Sequence, residues 1–188
     1  MPTEGQIRTD EPLDADAEAR RRVALAQIRQ YPDPVLRLSA REVDAFDADL
    51  LRLVERMTGL MRDANGVGLA ATQIGVLRRV FVFQTGEDEE ATALVNPEIT
   101  TRSGDADVAD EGCLSLQGVL VPVERHLSLT LAASDVHGEP IRLELEGLPA
   151  RVVQHELDHL DGVLILQRTD AESRREALAH LRPDPLLR

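Results

Sequence analysis

The sequence predicts an α+β domain in which antiparallel strands pack around a buried helix and a further helix closes the chain. Three observations predict it. Apolar residues recur at spacings of three and four after Phe46, and short apolar runs separated by turn residues fill the middle of the chain. A second helical pattern, carrying two His residues, follows Pro149.

Residues 1–25 mix acidic and Arg side chains with few apolar ones and read as a flexible acidic tail, with order beginning near Ile28. Tyr31-Pro32-Asp33-Pro34 is turn chemistry. Phe46, Leu50, Leu53, Val54, Met57, Leu60 and Met61 give one apolar helix face, with Asp47 as its N-cap and Asn65-Gly66 as its stop. Strands are predicted over 80–84, 93–95, 127–132 and 141–145, with turns at Gly86, Asn96-Pro97 and His137-Gly138.

Pro149 suits the first turn of a helix over 150–160, whose apolar residues are Val152, Val153, Leu157 and Leu160. Gly162 suits the position just past its end. A short apolar strand over 163–166 follows. Thr169 with Glu172 forms a capping box for an Arg-rich last helix that stops before Pro183. The expected organisation is a tail over 1–25, one domain over 26–182 and a C-terminal tail over 183–188.

Composition narrows the chemistry. The 188 residues carry 21 basic and 34 acidic side chains, a net charge of −13, and every basic residue is Arg. Without Lys there is no Schiff-base or pyridoxal-phosphate catalysis and no Walker-type phosphate loop. The acidic balance and the scarcity of aromatics (Tyr31, Phe46, Phe81, Phe83) argue against a nucleic-acid binder, and the excess acid serves solubility. No apolar run reaches the length that spans a bilayer, and the N-terminus lacks the apolar core of a secretory signal. Cys113 is the single cysteine, so no intrachain disulfide forms, and a reducing cytoplasm is expected.

The strongest chemical signal is His155-Glu156-Leu157-Asp158-His159. Two His residues four apart on a helix face the same side and reach one metal ion; the Glu beside the first can act as general base on a water there. A catalytic site usually needs a third protein ligand. Ile165 holds the position where a metzincin has its third His. The candidates are Glu172 or Glu176, as in thermolysin-like enzymes, and Cys113, which a cation would hold as thiolate.

Three blocks resemble the peptide deformylase family: Gly66-Val67-Gly68-Leu69-Ala70-Ala71-Thr72-Gln73, Glu111-Gly112-Cys113-Leu114-Ser115, and Gln154-His155-Glu156-Leu157-Asp158-His159-Leu160. Asp33-Pro34-Val35-Leu36-Arg37 is similar to that family's start, and the resemblance runs over residues 28–168. It implies a cytoplasmic hydrolase that removes the formyl group from the N-terminal formylmethionine of ribosome-made polypeptides, with no nucleic-acid or membrane site of its own. It implies Cys113, His155 and His159 as ligands to one divalent ion, Fe(II) by resemblance, with zinc also suited to the donor set. Glu156 would be the acid/base, and the Gln73 side chain and Leu114 backbone N–H the donors to the formyl oxygen. Gly66, Val67 and Gly68 would pair with the substrate main chain like an added strand. Val67, Leu114 and Val152 would line a methionine pocket, and Glu111 with Arg125 would form an ion pair behind the ligands.

The chain departs from the family at Gln117, where Pro is common, and in the loop Gly118-Val119-Leu120-Val121, which lacks a substrate-directed Arg. These departures bear on peptide preference, not on the metal chemistry. The alternatives are a metalloprotease built on the same helix motif, and an idle homologue that binds peptide or metal.

Overall fold

The computed structural model describes residues 14–86 and 89–181. The chain runs α1 (Ala15–Leu25), α2 (Ala48–Asp63), β1 (Gly68–Ala70), β2 (Val80–Phe83), β3 (Thr92–Arg102), β4 (Ala106–Cys113), β5 (Leu116–His126), β6 (Ser128–Ser134), β7 (Pro140–Glu146), α3 (Leu148–Leu160) and α4 (Ala171–His180). Five strands form one antiparallel sheet in the order β1-β2-β3-β6-β7; β4 and β5 form a separate two-stranded ribbon. This is the α+β arrangement that the order of sequence patterns predicts.

Both faces of β2 are covered, which explains its unbroken apolar run Val80-Phe81-Val82-Phe83. Val80 and Val82 join the core built on α2, while Phe81 and Phe83 join the core built on α3. Alternate side chains of a strand point to opposite faces, so four residues serve two cores. From α2, Leu50, Met57, Leu60 and Met61 are buried, each stabilising the fold by about 1.5–3 kcal/mol. Asp47 caps that helix by accepting from the backbone N–H groups of Asp49 and Leu50. Asn65 ends it in a left-handed conformation (φ 59°), with Gly66 N–H donating back to Met61 O at 2.8 Å.

The structure corrects the sequence reading in five places. Residues 15–25, read as part of a flexible tail, are helical: Asp14 caps α1 by accepting from Ala17 N–H, and Ala24 and Leu25 enter the α2 core. Only the last turn of α1 is apolar, so the helix shows no apolar period; residues 1–13 lie outside the described residues, as do 182–188. Asn96-Pro97 is not a turn but an irregularity inside β3, where pairing shifts between Val95 and Glu98. The Asn96 side chain there accepts from Val43 N–H and donates to Val43 O, each at 2.8 Å, so a polar side chain stands in for a neighbouring strand. Residues 163–166, read as a strand, lead into a short 3-10 turn over Ile165–Gln167. The N-cap of α4 is Asp170 rather than Thr169, one residue later than predicted. The three strands β1, β4 and β5 were not predicted.

Among the described residues, no helix is long and apolar enough to cross a membrane.

Candidate metal centre

Helix α3 begins with Pro149 in its first turn, and every residue from Ala150 to Leu160 is buried. It packs against β1, β2, β5 and β7, so even its polar residues face protein. Such a helix is stable only if each buried polar group finds a partner. The partners are what make it a site.

His155 and His159, one turn apart on α3, meet Cys113, the last residue of β4. One donor atom from each of the three lies within 4.8 Å of the others. The Cys113 sulfur stands 3.3 Å from His159 Nε2, and all three side chains are buried. Nε2 of His155 has no hydrogen-bond partner among the described residues, an expensive omission for a buried polar atom unless something binds it. A thiol and two imidazoles, converging and nearly dry, fit a divalent transition metal. Glu172 and Glu176 lie exposed on α4 and take no part in this group.

Behind the ligands stands a chain of charges. Glu111 stands two residues before Cys113 on β4, across an irregularity in the pairing with β5, and both side chains reach α3. Its Oε2 lies 3.0 Å from His155 Nδ1, and its carboxylate takes two donors from Arg125, each at 2.9 Å. Arg151 donates a further bond to Glu111 Oε1 at 2.9 Å and two more to the carbonyls of Val123 and Asp107. Arg125 also donates to Asp158 at 2.6 Å, and Arg168 holds the same carboxylate with two bonds.

The sequence reading found Glu111 and Arg125 but missed Arg151, Asp158 and Arg168. A signal existed. Arg151, His155 and Asp158 recur at four and three along α3 and share one face.

The network sets the charges. Burial alone would raise the Glu111 carboxyl, but His155 and Arg125 outweigh it and hold the group far below the ordinary carboxylate range. Burial opposes charge on His155 too, yet the Cys113 sulfur and Glu111 raise it to about 10. His159 goes the other way, held neutral by burial and then by the charges of His155 and Arg125.

The remaining predicted residues surround this point. Gln73, fully buried in the 3-10 turn Ala71–Ile74, accepts from Ala70 N–H through Oε1 and directs Nε2 to Ser115 Oγ at 3.1 Å and Cys113 Sγ at 3.7 Å. Leu114 follows Cys113 in the turn between β4 and β5, its carbonyl accepting from the Gln30 side chain. Glu156 is fully buried and its carboxylate packs on Gly68. Val67 and Val152 share one apolar cluster, whereas Leu114 packs into the α2 core. Gly66 serves the end of α2.

The family model described as polypeptide deformylase matches residues 25–175. The chain belongs to the polypeptide deformylase family. A peptide deformylase of Desulforudis audaxviator is 44% identical over 154 residues, covering 82% of this chain and 99% of that one. The crystal structure of a peptide deformylase from Legionella pneumophila superposes with a TM-score of 0.77 at 38% identity, covering 83% of this chain and 98% of that one. That of Thermotoga maritima superposes with a TM-score of 0.74 at 44% identity, covering 76% and 96%. Deformylase membership makes this chain a metal-dependent hydrolase acting on the formyl group of new polypeptides. The match begins at residue 25, so α1 precedes the deformylase core.

Proposed function

We propose that Cys113, His155 and His159 hold one Fe(II) ion and that Glu156 and Gln73 carry the chemistry of deformylation beside it. The observation that supports this most is the convergence of three buried donors, one His Nε2 without a partner, in a chain of this family. When bound, a divalent ion would supply an acidified water near neutral pH. Glu156 would accept a proton from the attacking water and return it to the amine nitrogen as the C–N bond of the formamide breaks, with formate released. The formyl oxygen becomes negative on the way. The Gln73 side-chain N–H and the Leu114 backbone N–H donate to it there.

The substrate is the formylmethionyl end of a polypeptide emerging from a cytoplasmic ribosome. β1 lies at the edge of the five-stranded sheet and, among the described residues, pairs only with β2; since Ala70 N–H is taken by Gln73, its Gly68 end is the part that would meet an extended peptide. Val67 and Val152 supply an apolar wall for the methionine side chain.

The test is metal analysis of anaerobically purified protein, with formate release from a formyl-Met peptide followed on the same sample. The Glu156→Ala variant keeps its metal and loses turnover. A rate within about tenfold of the parent, a loss of roughly 1.4 kcal/mol, removes Glu156 from the acid/base role. Reconstitution with Fe(II) or Zn separates the metals: the iron form decays in air through metal or Cys113 oxidation, and equal decay of both forms removes iron.

A further inference from the structure

Gln73 is held at both ends of its amide. Ala70 N–H can only donate, so the amide atom 2.9 Å from it is Oε1, and the NH2 group must face the other way. There it has two hydrogens and two neighbours, Ser115 Oγ at 3.1 Å and Cys113 Sγ at 3.7 Å. The hydroxyl is the closer and the better acceptor. Both side chains are almost wholly enclosed, Gln73 at 0% and Ser115 at 1% exposure.

Ser115 is itself fixed from outside. Its carbonyl accepts from Tyr31 N–H at 2.9 Å, and the preceding carbonyl, of Leu114, accepts from the Gln30 side chain at 2.9 Å. The turn that follows Cys113 is thus pinned to residues 30 and 31, and the hydroxyl cannot drift with a loop.

We infer that Ser115 is a positioning residue for deformylation: its hydroxyl takes one hydrogen of the Gln73 amide and keeps the other, which faces the weak acceptor Cys113 Sγ at 3.7 Å, on the side where the reacting oxygen would lie. The inference rests on the reading of Gln73 as donor to that oxygen. Without the hydroxyl, the amide can turn about its last side-chain bond, and the donor is no longer preorganised. Ser115 acts through Gln73 and touches no reacting atom.

A double-mutant cycle tests this with iron-loaded protein and a formyl-Met peptide. Ser115→Ala should lower kcat roughly tenfold with KM, metal content and melting temperature close to the parent, and Ser115→Thr, which keeps the hydroxyl, should retain kcat. In a Gln73→Ala background, Ser115→Ala should have no further effect. A parent-like kcat in Ser115→Ala overturns the inference, as does an equal loss in both backgrounds, which would mean that Ser115 acts by another route. If Gln73→Ala alone keeps the parent rate, the reading of Gln73 falls, and the role of Ser115 with it; a large loss there beside an unaffected Ser115→Ala overturns Ser115 alone.

Discussion

The Glu156 carboxylate occupies the space that a side chain at position 68 would fill. A Cβ built on Gly68 would stand 2.8 Å from Glu156 Cδ and 3.0 Å from Cγ, closer than carbon atoms pack. The glycine was read as an opening for the substrate main chain. Here it also makes room for the proposed acid/base, and Glu156, at 0% exposure, has nowhere else to go.

Gly68→Ala should therefore keep metal and fold but displace the carboxylate, with kcat falling about a hundredfold. Misplacement of a catalytic group by about 1 Å carries a penalty of that order. Turnover and metal content of the same sample check it, and a rate within a few-fold of the parent would show that Glu156 tolerates the shift.

Arg151→Met should weaken metal binding by up to about tenfold, at or below the 10–100-fold typical of a ligand's own partner, because Arg151 acts through Glu111. Glu111 would keep Arg125 and His155 but lose the third group that fixes its Oε1. Competition with a chelator reads the affinity. Unchanged affinity alongside a lowered melting temperature would mean that Arg151 only ties Val123 and Asp107 to α3.

Deleting residues 1–25 should lower the melting temperature by about 5 °C or more. Leu25 and Ala24 are 8% and 2% exposed and pack with Ile28 in the α2 core. Burying a Leu is worth about 1.5–3 kcal/mol, and each kcal/mol shifts the transition by roughly 2–4 °C in a domain of this size. An unchanged melting temperature would return α1 to the status of a tail.

Asp170 gives a pH signature. Its carboxyl lies below its ordinary 3.8, chiefly because Ser173 donates from both its backbone N–H and its hydroxyl, with Glu172 N–H in support. A carboxyl whose folded pKa is depressed contributes stability above its unfolded pKa and loses it as pH falls through the folded one. Asp170→Ala should thus melt below the parent near pH 7, and the gap should close as pH falls below about 4. A gap independent of pH would mean that the charge contributes nothing at this cap.

The helices of the site were legible because their signals are local. Asp47 and the apolar spacing mark α2, and two His residues four apart mark α3 before any contact is known. The ribbon that delivers Cys113 was not legible. β4 reads Ala-Asp-Val-Ala-Asp-Glu-Gly-Cys, mostly exposed at its start, and β5 contains Gly118 and Pro122, which suggest turns. Two strands with only each other as partner tolerate such residues, because each keeps a free edge. Arg151 and Asp158 escaped for a different reason: a charged residue on a helix is usually solvated, and their shared spacing with His155 does not announce that α3 is enclosed on every side; Arg168 lies beyond α3, after the 3-10 turn.

The distance along the chain between Cys113 and His159 sets a timetable for the enzyme's own birth. His159 follows Cys113 by 46 positions, and the stretch between them includes all of β5, β6 and β7, so the three-donor cluster can close only after those strands have been made. No early fragment leaving a ribosome holds more than the thiol. Closure of the proposed metal site is therefore a late step in the making of the chain.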